Sequence, residues 1–262
     1  MVSRMPVVFV SHGAPDALIK APSTVACWQS IAASIPRPKA ILVLSAHWEA
    51  MVPTVSMAEH LETLHDFSGF ARSLYALQYP APGAVALARR VVGRFAEVGS
   101  PVQVAAARGL DHGAWVPLMA MYPAADIPVT QLALPHQGDA ADYLALGTVL
   151  RPFRDEGVLI VASGAITHNF GWLKWGEDES AQPLQRAKQF ADWVAERVGA
   201  KDLQGLADYH RGPYGAEAHP TAEHFYPLLA ATGAADEDAA RRYQPAFTYG
   251  GLSMDAYVWG TA

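Results

Sequence analysis

The chain has 262 residues, 51% hydrophobic and 17% charged, with a formal net charge of −6 and a single cysteine. It carries no Lys/Arg block to neutralise phosphates and no stretch near the ~20 apolar residues of a membrane helix, so neither nucleic acid nor membrane is expected as a partner. Cys27 alone closes no internal disulfide, and a reducing, cytoplasmic setting is the expectation.

The first apolar run, Val7–Ser11, reads as a buried parallel strand that delivers His12 and Gly13 at its end. It leads straight into the SHG segment with no small-residue cleavage site, so it is read as a strand and not as a signal peptide. A helix fits Thr24–Ile35, and a second strand, Ala40–Ser45, ends at His47. From Pro53 to Pro82 the chain is irregular and rich in aromatic and turn residues, the composition of a lid or site wall. Val85, Leu87, Val91, Val92, Phe95 and Val98 recur at helical spacing. Further strands are expected at Pro128–Leu134 and Val158–Ala162, with a helix at Asp139–Leu150 between them. Leu184, Ala187, Ala191, Val194 and Val198 mark another helix, with Gly199 as its C-terminal cap. A last helix is predicted over Ala222–Ala231 with Thr221 as N-cap, followed by a β-like stretch, Ala246–Trp259, broken at Gly250-Gly251. Strands alternating with helices predict one α/β domain over residues 1–262. Its central, mostly parallel sheet is flanked by helices and closed by a C-terminal β segment.

Ten histidines are spread over this frame, and several stand just after strands. Open α/β sheets build their sites where strands end. His12 and His47 share that position, which favours a metal site over two separate strand-end caps. His168 follows the Val158–Ala162 strand and serves either as a ligand or as an acid/base beside the metal; an ordinary histidine pKa near ~6.5 suits proton transfer. His224, placed in the first turn of the last helix, would be kept neutral by the helix dipole, as a metal ligand must be. Glu223 is the rival ligand, because two histidines and a carboxylate make the usual facial triad of non-haem iron. His219 is either a further site residue or a loop histidine. His112 follows Asp111, which is expected to fix its tautomer, and faces either substrate or a structural turn. Trp48, Phe67, Phe70, Trp115 and Tyr249 are candidate apolar walls for a substrate.

Seven motifs in register carry a family resemblance. They are SHGAP (Ser11 to Pro15), SAHWE (Ser45 to Glu49), HDFSGF (His65 to Phe70), YPAPG (Tyr79 to Gly83), LDHGAW (Leu110 to Trp115), ITHNF (Ile166 to Phe170) and HPTAEHFYPLL (His219 to Leu229). With the closing GGLSM (Gly250 to Met254) they span nearly the whole chain, which resembles the DODA-type extradiol ring-cleavage dioxygenases of the class III, LigB-like superfamily. The resemblance implies a non-haem Fe(II), often replaced by Zn(II) in purified protein, and a catecholic substrate such as L-DOPA opened at the 4,5 or 2,3 bond with O2. It implies His12, His47 and His224 as metal ligands and His168 as acid/base or fourth ligand. It also places His112 beside the substrate; Trp115, Tyr249 and His219 are further candidate substrate contacts on the reading of the residues themselves. In more distant members the third ligand is a glutamate; here the matching residue is His224. A monomer or small homo-oligomer is expected. Two other readings stay open, a zinc-dependent hydrolase and a non-catalytic binding protein on the same fold, although no HExxH or HxH pair supports the hydrolase.

Overall fold

Alternation within three apolar strands organises the molecule, whose computed structural model describes residues 4–260. In β1 (Val7–Ser11), Val7 and Phe9 point to one face of the sheet while Val8 and Val10 point to the other. The same alternation holds in β2 (Ala40–Ser45), with Leu42 and Leu44 opposite Ile41 and Val43. Because successive side chains of a strand leave on opposite faces, continuous apolar runs of this kind need cover on both sides. Four further strands complete the sheet: β3 (Val129–Gln131), β4 (Val158–Gly164), β5 (Ala240–Tyr243) and β6 (Ala256–Trp259). The order is β3-β2-β4-β1-β6-β5, parallel from β3 to β1 and antiparallel at β6 and β5. The fold is a single-domain α/β structure with a mostly parallel sheet and a C-terminal strand, as the sequence predicts.

Helices α1 (Pro22–Ser34) and α3 (His112–Met121) cover one face; Trp28, Ile31, Trp115 and Leu118 pack there. The other face is covered by α2 (Val85–Glu97), α4 (Ala140–Leu150), α5 (Gln185–Gly199) and α6 (Tyr226–Ala235). The backbones of α4 and α6 touch: a Cβ at Gly147 would lie 2.0 Å from the Ala230 carbonyl oxygen, and one at Gly233 2.2 Å from that of Leu144. Among the described residues no helix is long and apolar enough to cross a membrane.

Four sequence expectations are corrected, and two elements, α3 and β5, were not foreseen. Helix α3 escapes the pattern because Pro117 lies inside it, but Asp111 caps it by accepting the Ala114 N–H. The last helix begins at Tyr226, not near Thr221; Pro227 takes its first turn, and the Thr221 hydroxyl donates to Glu223 instead. Gly199 ends α5 but does not cap it in the left-handed region, where Lys201 stands (φ 55°). Of the β-like stretch Ala246–Trp259 only β6 is a strand, while Leu134–Pro135 leaves the central sheet and pairs with Glu49–Ala50. Edge strand β5 was hidden by its two arginines, Arg241 and Arg242, the charge that an edge tolerates and a period-two search misses.

Candidate metal centre

Parallel pairing sets the C-terminal ends of β1, β4 and β2 side by side: Ser11 is level with Gly164, and Ser45 with Ser163. His12 leaves the first end with its N–H bonded to the Gly164 carbonyl (3.0 Å). His47 leaves the β2 end, its N–H donated to Ser45 Oγ at 3.2 Å. His224 arrives from the turn before α6. That turn lies against β4, since a Cβ on Gly164 would meet the His224 carbonyl oxygen at 2.2 Å. The Nε2 atom of His47 stands 3.0 Å from that of His12 and 3.3 Å from that of His224.

What each ring does with its other nitrogen decides what those Nε2 atoms are. Pro117 has no N–H to give to Gly113, four residues back, so the Gly113 carbonyl is free. Ser163 donates its hydroxyl to that carbonyl at 2.5 Å, and its oxygen therefore accepts the Nδ1–H of His12 at 2.9 Å. His12 is thus held with its lone pair on Nε2. His224 Nδ1 meets Glu223 Oε1 at 3.1 Å, and His47 Nδ1 faces Asp66 Oδ2 at 3.7 Å. Three Nε2 atoms converge; the rings of His12 and His224 are each bonded at Nδ1 to an oxygen behind them, as metal-bound histidines are, and His47 faces the Asp66 carboxylate at 3.7 Å. Two nitrogens ~2.0–2.1 Å from one first-row ion would be about 2.9–3.4 Å apart at ordinary coordination angles, and the separations seen are 3.0 and 3.3 Å. The donor set fits a divalent metal. The rings are closely backed by Gly113, where a Cβ would lie 2.5 Å from Ser45 Oγ, 3.0 Å from His47 Cδ2 and 3.2 Å from His12 Nδ1.

Burial keeps these rings neutral. It pushes His12 and His224 well below the ordinary histidine value, helped by the neighbouring histidines. Burial and then His112 bring His47 down to about 4, against the pull of Asp111 and Asp66. The helix dipole is not the cause for His224, which precedes α6. His168 stacks on His224, with ring centroids 3.5 Å apart and planes 9° apart, and burial brings it to about 4. His112 opens α3 and is held by Asp66, whose Oδ1 accepts both its backbone N–H and its Nδ1–H at 2.9 Å. Burial raises the Asp66 carboxyl, but the bonds from His112 outweigh it and hold the group down to about 2.

Above these rings lies a cavity of about 390 Å³, with His12, His47, His112, His168 and Asp66 among its lining residues. Residues 5–259 match the family model described as the catalytic LigB subunit of aromatic ring-opening dioxygenase. The chain belongs to the LigB family. It is 39% identical to the 4,5-DOPA dioxygenase extradiol of Escherichia coli K12, over 89% of this chain and 86% of that one. Identity to the protein of the same name from Beta vulgaris is 41%, over 88% and 87%. A crystal structure of an uncharacterized protein from Escherichia coli K12 superposes with a TM-score of 0.79 at 35% identity, covering 98% of this chain and 100% of that one. These likenesses make the chain an extradiol ring-opening dioxygenase, an enzyme for a small aromatic substrate, and the histidine cluster could hold a metal.

Within this LigB-family site the sequence-predicted residues separate into two layers. His12, His47, His112 and His168 reach the cavity, and His224 lies beneath the His168 ring. Trp115, Tyr249 and His219 are buried behind the wall rather than on it. The Trp115 indole N–H donates to the Leu64 carbonyl (2.9 Å), and its ring backs Phe67. The Tyr249 hydroxyl donates to Asp16 at 2.6 Å, and His219 Nε2 bonds the Ile166 carbonyl at 2.9 Å. Glu223, the rival ligand, is engaged with the Thr221 hydroxyl and His224 Nδ1. Asp111 does not hold His112; it accepts from Ser45, Arg108 and Gln131 and braces the β2 end. The residues that sequence reasoning missed are Asp66, Ser163, Gly113 and Pro117. Only Asp66 gave a signal, as an acid inside an aromatic-rich irregular segment.

Proposed function

We propose that this protein is a non-haem Fe(II) enzyme that opens the ring of a catechol beside its two hydroxyls, with O2 as co-substrate, and that residues 1–262 act as one catalytic domain. The convergence of three neutral Nε2 atoms at the floor of a cavity carries the reading. DOPA is the substrate named for the relatives, so a DOPA-like catechol opened at its 4,5 or 2,3 bond is the class expected here. His12, His47 and His224 would hold the metal through Nε2. Bound there, Fe(II) supplies a centre through which a catecholate and dioxygen exchange electron density.

The chain's own residues handle the protons. His112 is bonded through Nδ1 to Asp66, so Nε2 is the atom left to exchange a proton with a catechol hydroxyl. His168, kept neutral by burial, is a second acceptor on the same wall. Either ring, once protonated, can return the proton to oxygen as the ring opens. Phe67, Leu173 and Leu252 give the wall an apolar surface that limits water beside the reacting ring.

Chelator-stripped protein reconstituted in parallel with Fe(II) and with Zn(II) tests this proposal. Oxygen uptake with catechols under Fe(II) alone is expected, with uptake lost in His47→Ala. Oxygen-independent hydrolysis under Zn(II), with no uptake under Fe(II), would overturn it.

A further inference from the structure

The three rings of the metal centre are not aimed in the same way. His12 and His224 each bond an oxygen through Nδ1, at 2.9 and 3.1 Å. The Nδ1 of His47 stands 3.7 Å from Asp66 Oδ2, beyond hydrogen-bond reach. A ring without such a bond takes its direction from the backbone that carries it. At His47 that backbone is gripped on both sides. Its N–H donates to Ser45 Oγ at 3.2 Å, and its carbonyl accepts from Arg108 Nη2 at 3.4 Å. Trp48, a candidate substrate wall by sequence, does not line the cavity. Its ring instead backs the Arg108 guanidinium, whose Cζ lies 5.0 Å from the ring centroid.

One carboxylate joins these contacts. Asp111 is buried and accepts from Arg108 Nη2 at 3.0 Å and from Ser45 Oγ at 2.6 Å. It also takes the Ala114 N–H at 3.2 Å as the cap of α3, the helix that His112 opens. Ser45 and Arg108 therefore run from a single carboxylate to the two polar groups of the His47 backbone, and that carboxylate is fixed to the helix of His112. The His47 and His112 rings stand 4.0 Å apart.

We infer that Arg108 is a positioning residue for His47: from its seat between Trp48 and Asp111 it aims the His47 imidazole at the metal and sets its spacing from His112. This rests on the reading of His12, His47 and His224 as the metal ligands. Gln131 supplies the contrast. It donates to the same Asp111 oxygen as Arg108, at 3.0 Å, but among the described residues has no side-chain hydrogen bond to His47 or Trp48. A role confined to neutralising or bracing Asp111 would make the two residues alike.

Anaerobic titration of the metal-free protein with Co(II), followed by its visible absorption, tests this, because those bands report coordination geometry. Arg108→Met is expected to bind Co(II) at least about fivefold more weakly, below the ~10–100-fold loss for a residue that bonds a ligand ring directly. Its bands should be displaced from those of the wild type. Gln131→Met is expected to keep the wild-type bands and an affinity within about twofold. Arg108→Lys keeps a charge beside Asp111, which protects the fold, but loses the flat contact with Trp48; displaced bands are expected there too. Urea unfolding of the metal-free variants identifies those that are folded. Wild-type affinity and bands in either folded Arg108 variant overturn the inference, as does a Gln131→Met variant impaired as much as Arg108→Met. His47→Ala separates the two levels of the argument. Wild-type Co(II) affinity in that variant overturns the three-histidine reading and the inference with it. Binding lost in His47→Ala but unchanged in the Arg108 variants overturns the inference alone.

Discussion

Replacing Ser163 by alanine tests the chain of bonds that turns His12 Nε2 toward His47 and the proposed metal. In the wild type the Gly113 carbonyl, freed by Pro117, takes the Ser163 proton, and the Ser163 oxygen takes the His12 Nδ1–H at 2.9 Å. Both side chains are buried, so no bulk water replaces the hydroxyl. Ser163→Ala leaves the Nδ1–H without its acceptor and the carbonyl without its donor, and the ring is free to adopt the tautomer that puts hydrogen on Nε2. Loss of such an orienting partner lowers metal affinity by about 10–100-fold, or about 1.4–2.7 kcal/mol. Competition with a chromophoric chelator for Zn(II), and anaerobically for Fe(II), reads this directly, with urea unfolding to confirm a folded variant. Pro117→Ala should weaken binding less, because its new N–H competes for the Gly113 carbonyl while the hydroxyl remains. Affinity of Ser163→Ala within about twofold of wild type would refute the tautomer argument.

Gly113→Ala places a methyl 2.5 Å from Ser45 Oγ and 3.0 Å from His47 Cδ2; metal content after reconstitution should drop at least about tenfold, and full occupancy would contradict the close approach. Asp66→Asn removes the carboxylate that fixes His112 and also faces His47, and kcat per bound metal is expected to fall about 100-fold; steady-state kinetics beside metal analysis separates this from any loss of metal. Asp255 gives a pH prediction away from the metal. Burial raises its carboxyl to about 6 although Arg242 pulls the other way. A folded pKa above the unfolded one means the folded state holds the proton more tightly. The stability this gives is complete below about 4 and lost as pH rises through about 6. Denaturant unfolding should therefore show Asp255→Asn gaining on wild type by about 1–3 kcal/mol between pH 4 and 7; a gap constant with pH would contradict this.

The parallel core and the strand-end histidines were legible because both rest on local pattern. Val7–Ser11 and Ala40–Ser45 are apolar on both faces, and the residues that follow them in sequence follow them in space. The places of His12 and His47 at the rim of the sheet therefore came from chain order alone. What failed depends on packing. Trp115, Tyr249 and His219 look like site residues in their motifs, yet each spends its polar atom on a buried neighbour and stops short of the cavity. His112 takes its partner from Asp66, 46 residues away, and not from adjacent Asp111, which faces the β2 end as the α3 cap. The freed Gly113 carbonyl is visible only once α3 is known to contain Pro117, and that proline is what hid the helix.

The mass of the product formed from a simple catechol by Fe(II)-reconstituted protein tests the central claim most directly. The three-histidine floor and the LigB-family match predict a product equal to the catechol plus two oxygen atoms, both carrying label when the gas is isotopically heavy dioxygen. The product should be absent in His12→Ala and His224→Ala. A product lighter than the catechol by two hydrogens, the quinone, or one without label from the gas, would contradict ring-opening dioxygenation at this site.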